Sequence, residues 1–269
     1  MNVLLLLAGI ADPKWPLPAE PLDAAALQAQ RARYPLLSPF DEAALELALK
    51  LRDADASTHI SALLAASGAD DALLRHVASF RLDRVDGYDS AACPAWNSAA
   101  LAEAIAAHVR GRAEAPDLLL IGREFGDLDD GSLPARLAEA LGLPGVSLAL
   151  QVQRGEGGLL ITRQQGAQQE ELQQSLPALV AVSNHARNRL RHPLLKNVMA
   201  AKKLSFDCLT LPAAEADAAP LRLAGLHAAV AAQRQGRCQM LEGDMESQAR
   251  ALAAALRGHA APATQGGAQ

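Results

Sequence analysis

Hydrophobic positions along this chain follow two alternating rhythms. Short, nearly unbroken apolar runs at residues 3–7, 59–65, 117–121 and 146–152, with a weaker one at 84–88, predict strands buried on both faces. Between them, apolar residues recur at helical spacing: Ala44, Leu47, Ala48 and Leu51, then Leu73, Leu74 and Val77, then Leu101, Ile105 and Val109, then a segment at 133–141. The first of these helices has a written start, because Ser38 can cap, Pro39 sits where a missing N–H costs nothing, and Asp41 and Glu42 suit the positive end. Strands and helices taking turns predict a parallel sheet covered by helices, a Rossmann-like α/β fold. After residue 152 the rhythm changes: 158–163 and 176–182 read as strands with no helix between them, which predicts an antiparallel extension. From about residue 207 the pattern is irregular until 246–257, where Ala249, Leu252, Ala253 and Leu256 line one helix face.

The expected organisation is an α/β domain over 1–205, a C-terminal arm and helix over 206–258, and a disordered tail over 259–269. Composition agrees: half of the 269 residues are hydrophobic but only 3% are aromatic, so the apolar mass is Ala, Leu and Val, which suits helices on a sheet. With 25 Lys and Arg against 30 Asp and Glu, the net charge of −5 provides no broad basic field, so nucleic acid is not an expected partner. Cys93, Cys208 and Cys238 are far apart and outside any CxxC, which removes a disulfide framework and a paired-ligand zinc site and suits a reducing compartment. The run 3–7 has no basic residues before it and meets Asp12, Pro13 and Lys14 soon after, so it reads as a strand and not a signal peptide. No stretch approaches the roughly 20 apolar residues that span a bilayer, so the expectation is a cytoplasmic protein without membrane insertion.

Motif chemistry narrows the function by subtraction. GxGxxG, GxxxxGKS, HExxH and GxSxG are all missing, and the histidines, including the nearby His185 and His192, lack an acid or thiol at ligand spacing, so no metal is assigned. The loop at 122–132, Gly-Arg-Glu-Phe-Gly-Asp-Leu-Asp-Asp-Gly-Ser, follows a buried strand and feeds a helix, where ligands of open α/β sheets collect; a solvated acidic connection is the plainer explanation for the loop alone. A second cluster, 187–203, mixes cations with apolar residues around Pro193, a composition suited either to a solvated face or to docking on an acidic partner.

Four separated stretches in order resemble the β subunit of electron transfer flavoproteins. They are Ser38-Pro39-Phe40-Asp41-Glu42 with its helix; Leu74-Arg75 and Leu82-Asp83-Arg84; 118–134 continuing through Leu137-Ala138-Glu139 and Leu141-Gly142; and Leu176-Pro177-Ala178-Leu179-Val180 with 191–203. The resemblance implies an adenine-nucleotide-binding type of fold and a non-enzymatic electron carrier: the β subunit of a heterodimer that takes electrons from flavin dehydrogenases to a quinone-linked oxidoreductase. It implies FAD held mainly by the α subunit, with AMP, a second FAD or nothing in a β-subunit pocket. By alignment that pocket falls on Leu6, Ser38, Pro39, Leu64, Ser67, Gly122, Arg123, Asp127, Asp129, Asp130, Gly131 and Ser132, with Phe40 approaching the flavin as in the single-FAD type. Partner docking falls on Arg191, Leu195, Lys196, Met199, Lys202 and Lys203, with Leu195 as anchor and the cations steering encounter. The sequence departs from the family pattern where Ala8 replaces a Lys, Ser38 an Asn, and Asp130 and Ser132 a Thr and a Gln; Asp130 would repel a phosphate. Two other classes stand beside this one: a solitary ATP- or AMP-binding sensor or hydrolase on the same sheet, and a structural partner subunit.

Overall fold

A computed structural model describes residues 1–8, 37–66, 68, 72–89, 97–124, 131–212 and 240–259. The chain divides into two compact units, Met1–Ala228 and Ala229–Gln269. The first is built on a nine-stranded sheet in the order β7-β6-β5-β8-β4-β1-β2-β3-β9. Its strands are β1 (Asn2–Leu7), β2 (His59–Ala66), β3 (Arg84–Asp89), β4 (Leu118–Gly122), β5 (Gly145–Gly155), β6 (Gly158–Gln165), β7 (Gln168–Gln174), β8 (Ala178–Val182) and β9 (Cys208–Leu209). Five helices accompany them: α1 (Pro39–Ala54), α2 (Ala72–Ala78), α3 (Ser98–Arg110), α4 (Ser132–Leu141) and α5 (Leu195–Ala201).

The expected mixed α/β architecture is present. β1 pairs in parallel with β2 on one side and β4 on the other, with Leu6 opposite both Leu63 and Ile121. The chain therefore turns right from β1 and later returns to its left, which makes the β1–β4 boundary a topological switch point where strand ends open a crevice. Alternate residues feed two packing layers. Val3, Leu5 and Leu7 face one layer with Leu45, Leu49, Leu73 and Val77 of α1 and α2, whereas Leu4 and Leu6 face the other with Leu101, Ile105, Leu133 and Leu137 of α3 and α4. A strand with helices over both faces can be apolar at every position, which is why Val3 to Leu7 reads as a solid run.

Three strands depart from the sequence-based expectation, one of them β9, which pairs in parallel with β3 where the chain from about residue 207 is expected to be irregular. The segment at 176–182 does not extend the antiparallel part: β8 lies between β4 and β5 and pairs in parallel with both. Its five residues are all buried, as a central strand requires. The antiparallel extension instead comprises β5, β6 and β7. β7 was not expected as a strand, because Gln-Gln-Glu-Glu-Leu-Gln-Gln has one apolar residue and no alternation; pairing with β6, not burial, orders this edge. The first half of β5 pairs with β8 and the second with β6, and the strand bends at irregular pairing around Ala149, beside Leu148 at φ 61°.

The second unit carries α6 (Met245–His259), which begins one residue before and ends two after the expected helix. Leu252 and Leu256 are exposed, so the apolar stripe expected on its face is uncovered. The expected disordered tail lies, except for His259, outside the described residues. Among the described residues no helix is long and apolar enough to cross a membrane.

Candidate functional site

The carboxyl ends of β1 and β4 meet the start of α1. Ser38 caps that helix, its Oγ accepting from the Asp41 N–H at 3.1 Å. The Asp41 side chain turns the other way and accepts the Ala8 N–H at 3.2 Å, so a fully buried carboxylate ties the end of β1 to the first turn of α1. Sequence reasoning assigned Asp41 only to the helix dipole. The available signal was Ser38 followed three residues later by an acid, a capping-box spacing, although here the acid serves the neighbouring strand.

Phe40 sits where α1 crosses the end of β4. A side chain at Gly122 would bring its Cβ to 2.9 Å from the Phe40 Cβ, so only glycine permits this approach. Half-buried, the Phe40 ring lies 5.5 Å beneath the Arg123 guanidinium, a cation–π contact, and Arg123 also pairs with Glu124. The Arg123 N–H donates to the Val182 carbonyl at 2.8 Å, holding the β4 exit against β8. Gly131 then opens α4 at φ 61° with no side-chain cap, and the Ser132 hydroxyl donates to the Ser98 hydroxyl at 2.8 Å.

The structure thus gathers Ser38, Pro39, Phe40, Gly122 and Arg123 at the carboxyl ends of β1 and β4, with Gly131 and Ser132 at the helix that follows β4. Leu6 and Leu64 are fully buried in opposite packing layers, so anything they offer a ligand comes from the backbone. Ser67, Asp127, Asp129 and Asp130 lie outside the described residues. Among the described residues no three His, Cys, Asp or Glu gather as metal ligands. Cys208 is exposed, while Cys93 and Cys238 lie outside the described residues.

The second cluster is divided by the structure into an anchor and an exposed tip. Arg191 grips Glu46 of α1 through its side chain at 2.8 and 3.0 Å, its own N–H donates to the same carboxylate at 3.1 Å, and its remaining arm reaches Asp53 at 2.6 Å. The Glu46 hydrogen bond, with Asp53 adding to it, raises the Arg191 pKa above its already high value despite partial burial. One helical turn along, Lys50 donates to the Arg187 carbonyl at 2.6 Å and to the buried Asn188 at 3.1 Å. Asn188 donates in turn to the Leu150 carbonyl at 2.7 Å. Glu46, Lys50 and Asp53 share one helix face, so α1 holds the root of this loop along its length.

Beyond that root, Leu195 is 77% exposed, and Leu194 and Met199 are exposed beside it. Lys196, Lys202 and Lys203 are exposed as well, and Ala201 is the buried residue that seats α5. A leucine at the first position of a short helix is ordinarily core; here the helix packs through its other face.

The family model for the electron transfer flavoprotein domain matches residues 28–214, spanning both the strand-end crevice and this loop. The chain belongs to the electron transfer flavoprotein family. Its relatives are β subunits: it is 32% identical over 184 residues to electron transfer flavoprotein subunit beta of Syntrophomonas wolfei, covering 67% of this chain and 69% of the relative. The same-named protein of Mycobacterium bovis is 31% identical over 187 residues, covering 65% and 67%, and that of Megasphaera elsdenii is 29% identical over 221 residues, covering 72% and 74%. As an electron transfer flavoprotein β subunit the chain is an electron carrier subunit, not a catalyst of bond chemistry, is associated with flavin, and pairs with an α subunit.

Proposed function

We propose that this β subunit works in a heterodimer that carries electrons from flavin dehydrogenases to a quinone-linked acceptor. FAD lies mainly on the α subunit, and an adenine nucleotide, with AMP the best match, lies at the ends of β1 and β4. The observation that carries the reading is Leu195, 77% exposed on a loop pinned at its root by Arg191 and Lys50. A carrier must dock and release repeatedly, and an apolar knob on a rigid base, ringed by lysines, supplies contact and steering without a large permanent interface.

The residues fit a phosphate-bearing nucleotide. α4 starts at Gly131 without a side-chain cap, which leaves the helix N-terminus open to an anion, and Arg123 stands at the end of the adjoining strand. FAD, when bound, supplies the redox chemistry. The chain's own part is to present the Phe40 ring, held by Gly122 and Arg123, as an apolar wall, and to hold the nucleotide by backbone N–H groups. Phe40, an uncharged residue, favours a simple carrier over an electron-bifurcating one. α6, with Leu252 and Leu256 exposed, is the segment that packs on the α subunit.

Co-expression with the α subunit tests this. The expected product is a yellow complex with one FAD per heterodimer and one AMP released on denaturation, whereas the chain alone carries no flavin. A stable lone chain that keeps its own FAD would overturn the reading, and two FAD per heterodimer would replace the simple carrier with the bifurcating type.

A further inference from the structure

The carboxyl ends of β1 and β4 carry an uneven balance of charged groups. Arg123 is the cation there among the described residues, and its Nη2 donates to the carboxylate of Glu124, its neighbour in the chain. Two acids accompany it: Glu124, whose side chain is 16% exposed, and Asp41, fully buried in the first turn of α1. The Arg123 side chain is 40% exposed, so a solute can reach it. Its guanidinium also lies 5.5 Å from the centre of the Phe40 ring. The uncapped start of α4 is close by, since a Cβ on Gly131 would stand 3.6 Å from the Arg123 carbonyl oxygen.

An ion pair fully open to water contributes little. This one is mostly withdrawn from water on the acid's side and lies against an aromatic ring, where low polarity strengthens the attraction. A phosphoryl group at the first turn of α4 would need the same guanidinium, because arginine binds carboxylate and phosphate with one and the same fork of N–H groups. Orienting Arg123 is not a task left to Glu124, since the Phe40 contact and the 2.8 Å backbone bond to Val182 already hold the arginine in place. What the carboxylate adds is charge of the same sign as the ligand's. We propose that Glu124 is an internal competitor for the phosphoryl group: it holds the guanidinium that a bound phosphate must take over, and so sets the affinity of the site according to the ligand's charge. The inference rests on the reading that an adenine nucleotide lies at these strand ends, and it names the residue that tunes its binding.

The test is calorimetric titration of the full α/β complex, dialysed free of nucleotide, with AMP and with adenosine. Glu124→Gln should bind AMP about tenfold or more tightly than the parent, because the phosphate no longer displaces a charge-assisted hydrogen bond or meets a second negative charge. Adenosine, which has no phosphate, should bind both alike. The gain should vanish when Arg123→Gln is added, which ties it to this guanidinium. Glu124→Ala, with the same expected gain, takes the place of the amide variant should that one fail to fold. AMP binding unchanged or weakened by loss of the carboxylate, or a gain shared equally by adenosine, would overturn the role of Glu124 and leave the nucleotide site standing. A complex that binds neither AMP nor adenosine, with or without the substitution, would overturn the nucleotide reading and this inference together.

Discussion

Arg191 and Glu46 are 145 residues apart in sequence, yet the arginine meets that one carboxylate through both its side chain and its backbone N–H. Glu46 is 5% exposed, on the helix whose first turn carries Phe40 and Asp41. The loop that bears Leu195 and the crevice at the strand ends are therefore mounted on the same helix. Arg191, expected from the family resemblance to steer encounter, has its charge committed to Glu46 and Asp53, which leaves Lys196, Lys202 and Lys203 as the exposed cations around Leu195.

Arg191→Met should destabilise the fold by about 2–3 kcal/mol, because a buried carboxylate loses its partner; the value is below that of a fully buried pair because the arginine is partly solvated. Glu46→Gln should cost less, since the amide can still accept from the Arg191 N–H. Chemical denaturation measures both, and hydrogen exchange should quicken in residues 187–191. An Arg191→Met protein as stable as the parent would show that the clamp contributes nothing.

Gly122→Ala should be disproportionately harmful for one methyl group. The added Cβ would stand 2.9 Å from the Phe40 Cβ and 3.3 Å from its carbonyl carbon, so α1 must shift. Overpacking of this kind costs about 1–3 kcal/mol. The variant should also lose bound flavin from the complex more readily, which absorbance after gel filtration reads directly.

Leu195→Ala should raise the KM for the cognate dehydrogenase about thirtyfold, matching the roughly 2 kcal/mol typical of an interface anchor. Flavin content and melting temperature should stay at parental values, because an exposed side chain adds little to the core. Raising the ionic strength should slow the parent complex through its lysines. Transfer at the parental rate in Leu195→Ala would remove the docking role.

Acid should weaken the fold before carboxylates titrate. Burial lowers the pKa of His76, which packs edge-on against Phe80 at 5.4 Å, below its ordinary 6.5. Burial, then the Arg112 charge, lowers that of His108. With the folded pKa below the unfolded one, the unfolded chain binds more protons, so stability is full above about pH 6.5 and falls as the pH drops through 6.5 toward the folded values. Melting temperature should decline between neutral pH and pH 5.5, and His76→Phe should flatten part of that slope. An unchanged melting temperature over that range would refute this.

The sequence alone determined the alternating strands and helices of the first half. Burial on both faces makes β1, β2 and β4 continuous apolar runs, and Ser38-Pro39 with Asp41 writes the start of α1 in local chemistry. Local patterning could not decide what depended on pairing across the sheet. β7 is polar and exists because β6 supplies its hydrogen bonds, and β8 is placed between β5 and β4 by partners that periodicity cannot name. The loop at 187–203 shows the same division. Its mixture of cations and leucines was visible in the sequence, but only long-range contact separates Arg191, consumed by Glu46, from Leu195, which α5 turns outward while Ala201 is buried. Contacts made by residues far apart in the chain leave no local periodicity, and those contacts decide which charges are spent and which side chains remain available.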